Sequence, residues 1–345
     1  MSNTYLPESK IGRGRVVVLG GAGFMGSHIC RELLVRGHTV RIFDKLYASH
    51  ALIHDFEHKV EIVEGDISRP DDVLSAVGDA ETLIHLVHTT VPGSSMDDPS
   101  YDISSNVVAS VRWLQRLSET NIRRILYVSS GGTVYGVPQT DLIDERHPTN
   151  PISSYGITKL AIEKYIEMYA SMFGIEYCIL RPSNIYGVGQ RLQIGQGVIG
   201  VLADRALRGE ALEIWGTGES RRDYLYVEDM VAATMALLTN ASGQRIFNIA
   251  SGKGYSVLDI VVMLRDQLGH VPQLIYKPDR GFDVPVNVLD SSKLQAVTGW
   301  RPGVGLELGI ARTIKWLKEL RKQHIQDSSS SLSQKLMFTK NEIPK

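Results

Sequence analysis

The 345-residue chain is long enough to bury a sizeable core, as one large domain or two smaller ones. Its 43% hydrophobic and 22% charged residues are typical of globular proteins, and a net charge of −1 argues against a nucleic-acid or anionic-membrane partner. The sequence lacks an apolar run of about 20 residues for a membrane helix, and residues 1–14 lack a signal-peptide core. Cys30 and Cys178 lie in apolar patterns, which predicts reduced core cysteines in a cytosolic protein.

The first predicted element is a buried parallel strand over the β-branched residues 15–20. A glycine-rich turn follows it and leads into an amphipathic helix over residues 27–36. Glycines let the backbone approach a pyrophosphate, and a helix N-terminus supplies amide donors, so this order predicts a dinucleotide site. The alternative is a tight turn without a ligand. The predicted cofactor contacts in the turn are Gly20, Gly23, Phe24, Met25 and Gly26.

A second strand over residues 39–43 ends at Asp44, eighteen positions beyond Gly26. A carboxylate there suits hydrogen bonds to the adenosine ribose hydroxyls and would repel a 2′-phosphate. The sequence therefore predicts NAD rather than NADP as the cofactor, although Lys45 beside Asp44 points the other way. The alternative is a capping Asp at a strand end.

Further strands are predicted over residues 60–64, 82–86 and 125–129, with helical patterns between them. Alternating strands and helices predict an α/β fold with a right-handed, doubly wound parallel sheet of Rossmann type. Asp66 and Ile67 follow the third strand, where an adenine edge would be read, unless Asp66 caps the next helix. Leu86 ends the fourth strand and is a further predicted cofactor contact. His85 and His88 lack a carboxylate or thiol cluster and are interpreted as packing or loop histidines, so no metal site is predicted.

Tyr155 and Lys159 lie four residues apart at the start of a long helical pattern, and therefore on one helix face. A phenol titrates near pH 10, too high for a base at neutral pH. A positive charge about 5 Å away favours the phenolate by roughly 3 kcal/mol, or about two pKa units. The pair is thus a candidate general acid/base, and the alternative is a half-buried ring beside a solvated charge.

The hydroxyl-rich segment that begins at Ser129, followed by Tyr155-x-x-x-Lys159, completes an order that also contains the glycine turn and Asp44. This order resembles the extended short-chain dehydrogenase/reductase family, and within it the NAD-dependent nucleotide-sugar epimerases and dehydratases. The resemblance covers roughly residues 14–322. It implies that Ser129, Tyr155 and Lys159 contact NAD.

Further segments match the same family in chain order. Asn106 resembles the residue that secures the active-site helix, and it is also a predicted cofactor contact. The resemblance implies that Asn184 touches the sugar diphosphate and that Arg222 and Arg280 hold its phosphates. Guanidinium groups bind phosphate oxygens in a bidentate fork, which suits this role. The alternative for each arginine is a solvated surface charge.

Two positions depart from the family pattern. A catalytic Ser or Thr usually stands where this chain has Gly131. If the segment is extended, alternation places Thr133 on the same side as the missing group, so Thr133 is the first candidate to polarise the sugar hydroxyl and Ser130 the second. Gly132-Thr133 offers no acid for water elimination, which argues against a dehydratase. The usual H-x-A-A after the fourth strand reads His85-Leu86-Val87-His88 here.

The second half of the chain predicts a smaller C-terminal α/β domain that closes over the strand ends and binds substrate. Its short strands are predicted over residues 212–215 and 274–276, and its amphipathic helices over residues 256–268 and 306–320. Residues 245–249 predict a strand that returns to the main sheet. The predicted division gives residues 14–190 (plus about 225–250) to the NAD-binding domain and 191–224 with 251–324 to the substrate domain. Residues 325–345, which include four consecutive serines, are predicted to be a flexible tail.

The resemblance thus implies an NAD-dependent epimerase of a nucleotide-diphosphate sugar, which inverts C4 of a UDP-hexose through a transient 4-keto sugar. Tyr155 would take the C4 hydroxyl proton, and Lys159 would lower the pKa of Tyr155 and hold the nicotinamide ribose. One alternative is a nucleotide-sugar 4-ketoreductase that consumes NAD(P)H. The other is a catalytically silent nucleotide-binding protein. The family also implies a cytoplasmic homodimer that pairs helices near residues 106–117 and 154–172.

Overall fold

A computed structural model describes residues 14–46, 48–192, 197–240, 242–270, 273–279 and 284–338, with the backbone alone for residues 323–338. Within these ranges the strands are β1 (Arg15–Leu19), β2 (Thr39–Asp44), β3 (Glu61–Glu64), β4 (Thr82–His85), β5 (Arg124–Val128), β6 (Glu176–Pro182), β7 (Asn184–Tyr186), β8 (Leu212–Trp215), β9 (Arg221–Tyr226), β10 (Ile246–Ile249), β11 (Gly254–Ser256), β12 (Leu274–Lys277) and β13 (Val286–Asn287). The α-helices are α1 (Phe24–Val35), α2 (Pro70–Val77), α3 (Ser94–Asp97), α4 (Pro99–Asp102), α5 (Ala109–Leu114), α6 (Ser154–Phe173), α7 (Val198–Leu207), α8 (Val227–Leu238), α9 (Val257–Leu268), α10 (Ser292–Thr298) and α11 (Leu306–Phe338). A π-helical segment, Ile103–Val108, joins α4 to α5, and short 3-10 helices lie at Glu57–Lys59 and Leu117–Glu119.

The main sheet has seven strands in the order β10-β6-β5-β4-β1-β2-β3, and every neighbouring pair is parallel. The chain starts in the middle at β1, proceeds to one edge through β2 and β3, and then crosses to β4 on the other side of β1. Ligands of such sheets bind at the carboxyl ends of the strands, at this reversal of direction. The predicted Rossmann-type fold is confirmed, and the six strands predicted for this sheet end within one residue of their expected bounds.

Helices cover both faces of the sheet. Alternate residues of a strand point to opposite faces, so one strand contributes side chains to both core layers. Val16 and Val18 of β1 pack with helices α1 and α8 in one core cluster. Val17 and Leu19 pack with α2, α5 and α6 in a second cluster on the other face. The sheet is therefore buried on both sides, which explains the nearly continuous apolar strands of the sequence.

The second half of the chain adds two small sheets beyond the main one. One has the order β11-β9-β13, with β7 also paired to β9, and the other pairs β8 with β12. A third core cluster unites helices α7, α9 and α11 with these strands. The predicted strands near residues 212 and 274 and the two predicted helices are confirmed. The residue boundaries of the two domains stay a prediction.

Helix α11 continues to Phe338, so the backbone is helical over much of the segment predicted to be a flexible tail. Residues 339–345 of that segment lie outside the described residues. Across the described ranges, none of the helices combines the length and the apolar character that crossing a membrane requires.

Candidate active site

The glycine turn connects β1 to α1 at the carboxyl edge of the main sheet. A side chain at Gly26 would place its Cβ 2.1 Å from the Gly20 carbonyl oxygen, so only glycine permits this close approach. Helix α1 begins after Gly23, an N-cap that has no side-chain cap in the described part of the chain. A helix N-terminus of this kind can offer its amides to a dinucleotide pyrophosphate. Gly20 and Gly23 lie in the turn, whereas Phe24, Met25 and Gly26 begin helix α1, so all five predicted cofactor contacts lie at one strand-to-helix junction.

Asp44 lies directly beside this turn. One carboxylate oxygen accepts a hydrogen bond of 3.1 Å from the Ala22 amide, and the other accepts one of 3.0 Å from the Lys45 amide. Strand β2 brings Asp44 there through its parallel pairing with β1. The predicted carboxylate and the predicted glycine turn therefore meet in one site, and both oxygens keep acceptor capacity for ribose hydroxyls.

Of the remaining predicted cofactor contacts along this edge, Leu86 lies beside the glycine turn, whereas Asp66 and Ile67 make contacts within the protein. Leu86 donates its amide to the Leu19 carbonyl, so it lies beside Gly20. Asp66 accepts the Ser68 amide at 2.8 Å, a hydrogen bond that keeps the pKa of this carboxyl below its usual value. Helix α2 has Arg69 as its N-cap, so the capping alternative for Asp66 is wrong, and the Asp66 carboxylate closes a local turn instead. The Ile67 side chain is buried in a core cluster, so it packs inside the protein.

Tyr155 and Lys159 occupy the first turns of α6, which begins after the N-cap Ser153. The Lys159 ammonium lies 5.7 Å from the centre of the Tyr155 ring and donates a 2.9 Å hydrogen bond to the Val128 carbonyl. Val128 ends β5, so the helix and the sheet edge hold the pair between them. The predicted one-face arrangement is present.

The ionisation of this pair differs from the expectation. Burial raises the pKa of Tyr155 well above its ordinary value, and the Asp102 carboxylate adds to the rise. Burial also lowers the pKa of Lys159 to about 7, against the opposing charges of Glu163 and Asp102. The expectation that Lys159 depresses the Tyr155 pKa by about two units is therefore wrong for these residues alone, because desolvation outweighs the attraction between them.

Asp102 organises the start of α6, a role that the sequence did not predict. Its fully buried carboxylate accepts hydrogen bonds from the hydroxyls of Thr90, Ser154 and Thr158, at 2.5, 2.7 and 3.1 Å. Burial favours a raised pKa, but the hydrogen bonds from His88, Thr90 and Ser154 outweigh it and hold the pKa below its usual range. A charged Asp102 thus ties the loop after β4 to the helix that carries Tyr155.

Asn106 completes the same connection from the π-helical segment. Its side-chain oxygen accepts the Thr89 amide at 2.8 Å, and its amide group donates to the Asp102 carboxylate at 3.0 Å. The side chain is buried. This geometry agrees with the role of securing the active-site helix, whereas both polar atoms are occupied within the protein rather than presented to a cofactor.

The segment near Gly131 is not extended, so the alternation argument for Thr133 is wrong. The Val134 amide bonds back to the Ser130 carbonyl at 3.1 Å, which makes a turn of these residues. Thr133 nevertheless packs against the first turn of α6, because a Cβ at Gly156 would lie 2.7 Å from its carbonyl oxygen. The Thr133 hydroxyl is buried and has no hydrogen-bond partner among the described residues. Thr133 therefore stays the first candidate hydroxyl, on different evidence, and Ser130 the second.

Gly131 itself has no room for the missing side chain. A Cβ there would meet a methyl carbon of Leu289 at 2.3 Å and the Arg181 carbonyl oxygen at 2.9 Å. The Gly131 amide donates to the Pro182 carbonyl at 2.9 Å, which fixes this approach. The departure from the family pattern is thus built into the packing around the turn.

A buried ion pair lies behind Lys159. Arg181 donates to both carboxylate oxygens of Glu163, at 3.0 and 2.6 Å, and both side chains are 3% exposed. The Ser129 hydroxyl donates to the same carboxylate. Ser129 therefore contributes to this internal network through its side chain, and the sequence missed the pair because its members come from α6 and β6.

Two of the three predicted substrate residues, Asn184 and Arg222, lie on the second sheet, the one that contains β7 and β9. The Asn184 amide group donates to the Asp223 carbonyl at 2.9 Å, which fastens β7 to β9. Arg222 precedes Asp223 on β9 and is partly exposed. The structure thus brings Asn184 and Arg222 to neighbouring strands. Arg280 lies outside the described residues.

His85 is completely buried against Trp113 and Tyr127, with ring centres 5.5 and 5.1 Å away. Desolvation holds its pKa well below the ordinary value, so the imidazole is neutral. This is the packing histidine that the sequence indicates. His88 differs, because it contacts the Tyr155 ring.

Known proteins share both the sequence and the architecture of this chain. The NAD dependent epimerase/dehydratase family matches residues 16–250. A UDP-glucose 4-epimerase of Mycolicibacterium smegmatis is 33% identical over 308 residues, which cover 88% of this chain and 98% of the relative. A dTDP-4-dehydro-6-deoxyglucose reductase of Escherichia coli is 32% identical over 315 residues, 88% of this chain and 97% of the relative.

Among solved structures, the UDP-glucose 4-epimerase of Thermotoga maritima with UDP-glucose superimposes with a TM-score of 0.83. It is 31% identical in sequence, and the match covers 89% of this chain and 99% of the other. The glycine turn, Asp44 and the Tyr155/Lys159 pair all lie within the matched part of the chain. This chain belongs to the NAD-dependent epimerase/dehydratase family.

Proposed function

We propose that this protein is an NAD-dependent epimerase that inverts C4 of a nucleotide-activated sugar, with a UDP-hexose as substrate. The observation that carries the proposal is the position of Tyr155 and Lys159 on one face of α6, at the sheet edge that also carries the glycine turn and Asp44. The names of the relatives support the choice of reaction and of nucleotide.

The chain's own residues would hold the cofactor. The α1 amides would bind the pyrophosphate and Asp44 the adenosine ribose, while Lys159 would reach the nicotinamide ribose from the sheet edge. NAD, when bound, supplies the hydride acceptor and a positive charge on its nicotinamide ring. That charge opposes the raised pKa that burial imposes on Tyr155.

Tyr155 would accept the proton of the sugar C4 hydroxyl and later return it, as a general base and then a general acid. Lys159 stands 5.7 Å from the ring and can share the charge that develops on the phenol oxygen. The unpartnered Thr133 hydroxyl, beside the first turn of α6, would polarise the same sugar hydroxyl. Ser130 is the second candidate for that contact.

The nucleotide diphosphate would lie between the main sheet and the second sheet. Asn184 and Arg222 stand on adjacent strands there, and Arg280 belongs to the same proposed phosphate site. Guanidinium groups suit a diphosphate because they donate two parallel hydrogen bonds to its oxygens. Residues 191–224 and 251–324 would then form the substrate domain.

A nucleotide-sugar 4-ketoreductase is the second candidate, because a relative named as a reductase is 32% identical to this chain, nearly as similar in sequence as the 33% identical epimerase. The two reactions differ in the fate of the cofactor. An epimerase regenerates NAD in each cycle and retains it, whereas a reductase consumes NAD(P)H and releases the oxidised cofactor. Cofactor extracted from the denatured protein therefore separates them.

A homodimer is a further part of the proposal. The π-helical segment and α6 are neighbours, and both present exposed apolar side chains to the surface: Ile103, Val108, Ile157, Tyr165 and Met168. Apolar surface on adjacent helices marks an interaction site more often than chance exposure. We place this dimer in the cytoplasm, and light scattering of wild type against Met168→Glu tests the interface.

The reaction is tested by incubating the protein with UDP-, GDP-, CDP- and dTDP-sugars and resolving the products by NMR. The proposal expects a C4 epimer from a UDP-hexose without added reductant. Tyr155→Phe should abolish turnover and keep NAD binding. Thr133→Ala and Ser130→Ala then identify the hydroxyl that assists. The absence of an epimer from every sugar would refute the proposed reaction.

A further inference from the structure

His88 is a polar departure from the family pattern. It follows β4 at a position where the H-x-A-A pattern of the family has alanine. Its side chain is 5% exposed. A buried imidazole in place of a methyl group loses solvation and must find partners in the protein. The contacts that it makes therefore indicate why a histidine occupies this place.

Three contacts define the position of the His88 ring. Its ring centre lies 4.5 Å from that of Tyr155 at an interplanar angle of 71°, an edge-to-face arrangement. Its Nε2 lies 3.5 Å from a carboxylate oxygen of Asp102, and 3.5 Å from the Thr158 hydroxyl. His88 thus stands between the phenol and the carboxylate that organises the start of α6.

The tautomer follows from the chemistry of these partners. A carboxylate only accepts hydrogen bonds, so the proton of the neutral ring lies on Nε2. Burial and the nearby Lys159 charge lower the pKa of His88 to about 4, against the opposing influence of Asp102. The ring is therefore neutral at pH 7. Its Nδ1 is a buried acceptor without a partner among the described residues.

We propose that His88, oriented by Asp102, is a positioning residue for Tyr155 that holds the phenol ring edge to face and moderates the charge of Asp102 beside it. This inference rests on the proposed function of Tyr155. It assigns a role in positioning Tyr155 to the histidine that this chain has where the family pattern has alanine. His88 acts through Tyr155, so it is expected to affect turnover rather than substrate affinity.

The direction of the effect follows from the charges around the ring. The titratable groups that face His88 are Asp102 from α4, Tyr155 and Lys159 from α6, and His85 from β4. The Asp102 carboxylate raises the pKa of Tyr155. The His88 Nε2, 3.5 Å from this carboxylate, draws part of its charge away from the phenol. Removal of His88 should therefore raise the pKa of Tyr155 further.

The first test compares the NAD-bound wild type, His88→Ala and His88→Gln with UDP-glucose across pH. In His88→Ala the ascending limb of the kcat profile should move by about one unit to higher pH, so that kcat at neutral pH falls by about tenfold while KM changes little. Glutamine keeps a donor to Asp102, so in His88→Gln the ascending limb of the kcat profile should lie close to its wild-type pH. Equal losses in both variants with an unchanged pH profile would assign His88 to packing alone and overturn the proposal.

The matched control is His38→Ala. His38 also has a buried Nδ1 without a partner in the described chain, but it precedes β2 at the opposite edge of the sheet. Its profile should overlay that of wild type. A His88→Ala profile that overlays both contradicts the inference.

A second measurement needs no turnover. The ionisation of Tyr155 is read as the difference in tyrosinate absorbance between each NAD-bound protein and its Tyr155→Phe counterpart. Tyr155 should titrate at higher pH in His88→Ala than in wild type, and equal midpoints would refute the proposed coupling. Since this readout requires no substrate, failure of the positioning role and failure of the epimerase reaction are distinguishable.

Discussion

The Lys159 ammonium lies 5.7 Å from the centre of the Tyr155 ring, and its only described hydrogen bond runs 2.9 Å to the Val128 carbonyl. The two groups are close enough to interact, yet burial opposes the charged form of each. The site therefore holds an uncharged phenol next to an ammonium whose pKa is about 7. A bound cofactor with a positive charge would shift this balance toward the phenolate.

The Lys159 pKa predicts a specific dependence of stability on pH. Its value of about 7 in the folded protein lies below the ordinary 10.5, so between these values the unfolded chain binds more protons. The contribution of Lys159 to the free energy of unfolding therefore rises with pH, by up to about 1.4 kcal/mol per unit. Denaturant unfolding of wild type and Lys159→Met at several pH values should show the stability difference move in favour of wild type from pH 7 upward.

Lys164→Met is the control for this series. Lys164 lies on the same helix but is exposed and pairs with Glu167 at 3.0 Å. Its stability curve should run parallel to that of wild type. A Lys159→Met curve that also runs parallel would contradict the lowered pKa of Lys159.

Asp44 should set both the affinity and the choice of cofactor. Asp44→Asn removes the charge that accepts the Ala22 amide and would accept the ribose hydroxyls. Hydrogen bonds to charged groups are worth about 1.5–3 kcal/mol, so calorimetry should find NAD bound roughly ten- to a hundredfold more weakly. The ratio of NADP to NAD affinity should rise, because the repulsion of a 2′-phosphate is lost.

Glu32→Gln provides the comparison for Asp44. Glu32 lies on α1 and pairs with Arg36 at 2.8 Å, away from the glycine turn. NAD affinity should be unchanged in this variant. Unchanged NAD affinity in Asp44→Asn as well would remove Asp44 from the cofactor site.

Restoring a hydroxyl at Gly131 should harm the protein rather than repair it. A Cβ there would approach Leu289 to 2.3 Å and the Arg181 carbonyl to 2.9 Å. Overpacking of this kind typically costs about 1–3 kcal/mol, so Gly131→Ser should lower the unfolding free energy by about that amount without raising kcat. Gly132→Ser is the matched variant, since its Cβ would meet only the Ser130 hydroxyl oxygen at 3.9 Å. Equal stability of the two variants would show that the turn has room.

The buried pair of Glu163 and Arg181 should dominate local stability. Glu163→Gln leaves a guanidinium that is 3% exposed without its carboxylate, a loss of about 3–5 kcal/mol. Glu167→Gln, one turn further along α6, removes the exposed pair with Lys164 and should change stability by less than about 1 kcal/mol. Urea unfolding measures both. Similar losses in the two variants would contradict the importance of the buried pair.

The sequence was sufficient where the evidence is local. Strand, glycine turn and helix follow one another within residues 15–36, and Asp44 ends the next strand, so the dinucleotide site could be predicted from periodicity and turn chemistry. Tyr155 and Lys159 share a helix face for the same reason. The parallel sheet follows from the alternation of strands and helices.

The parts that sequence reasoning missed depend on contacts between distant segments. Asp102 reaches Ser154 across 52 residues, and Arg181 reaches Glu163 from another element. No periodicity within either segment indicates these pairs. The Thr133 argument failed because it assumed an extended backbone, whereas a hydrogen bond from Val134 to Ser130 closes a turn. The polar departure at His88 was the available signal for Asp102, since a buried imidazole requires a partner.

The central claim is an internal redox epimerisation at C4 in which Tyr155 moves the proton. The most direct test incubates the NAD-bound protein with UDP-glucose that carries deuterium at C4, in ordinary water, and follows the products by NMR. The account predicts the C4 epimer with its deuterium retained, and no epimer from Tyr155→Phe. Loss of the deuterium to solvent, or full turnover by Tyr155→Phe, would contradict it.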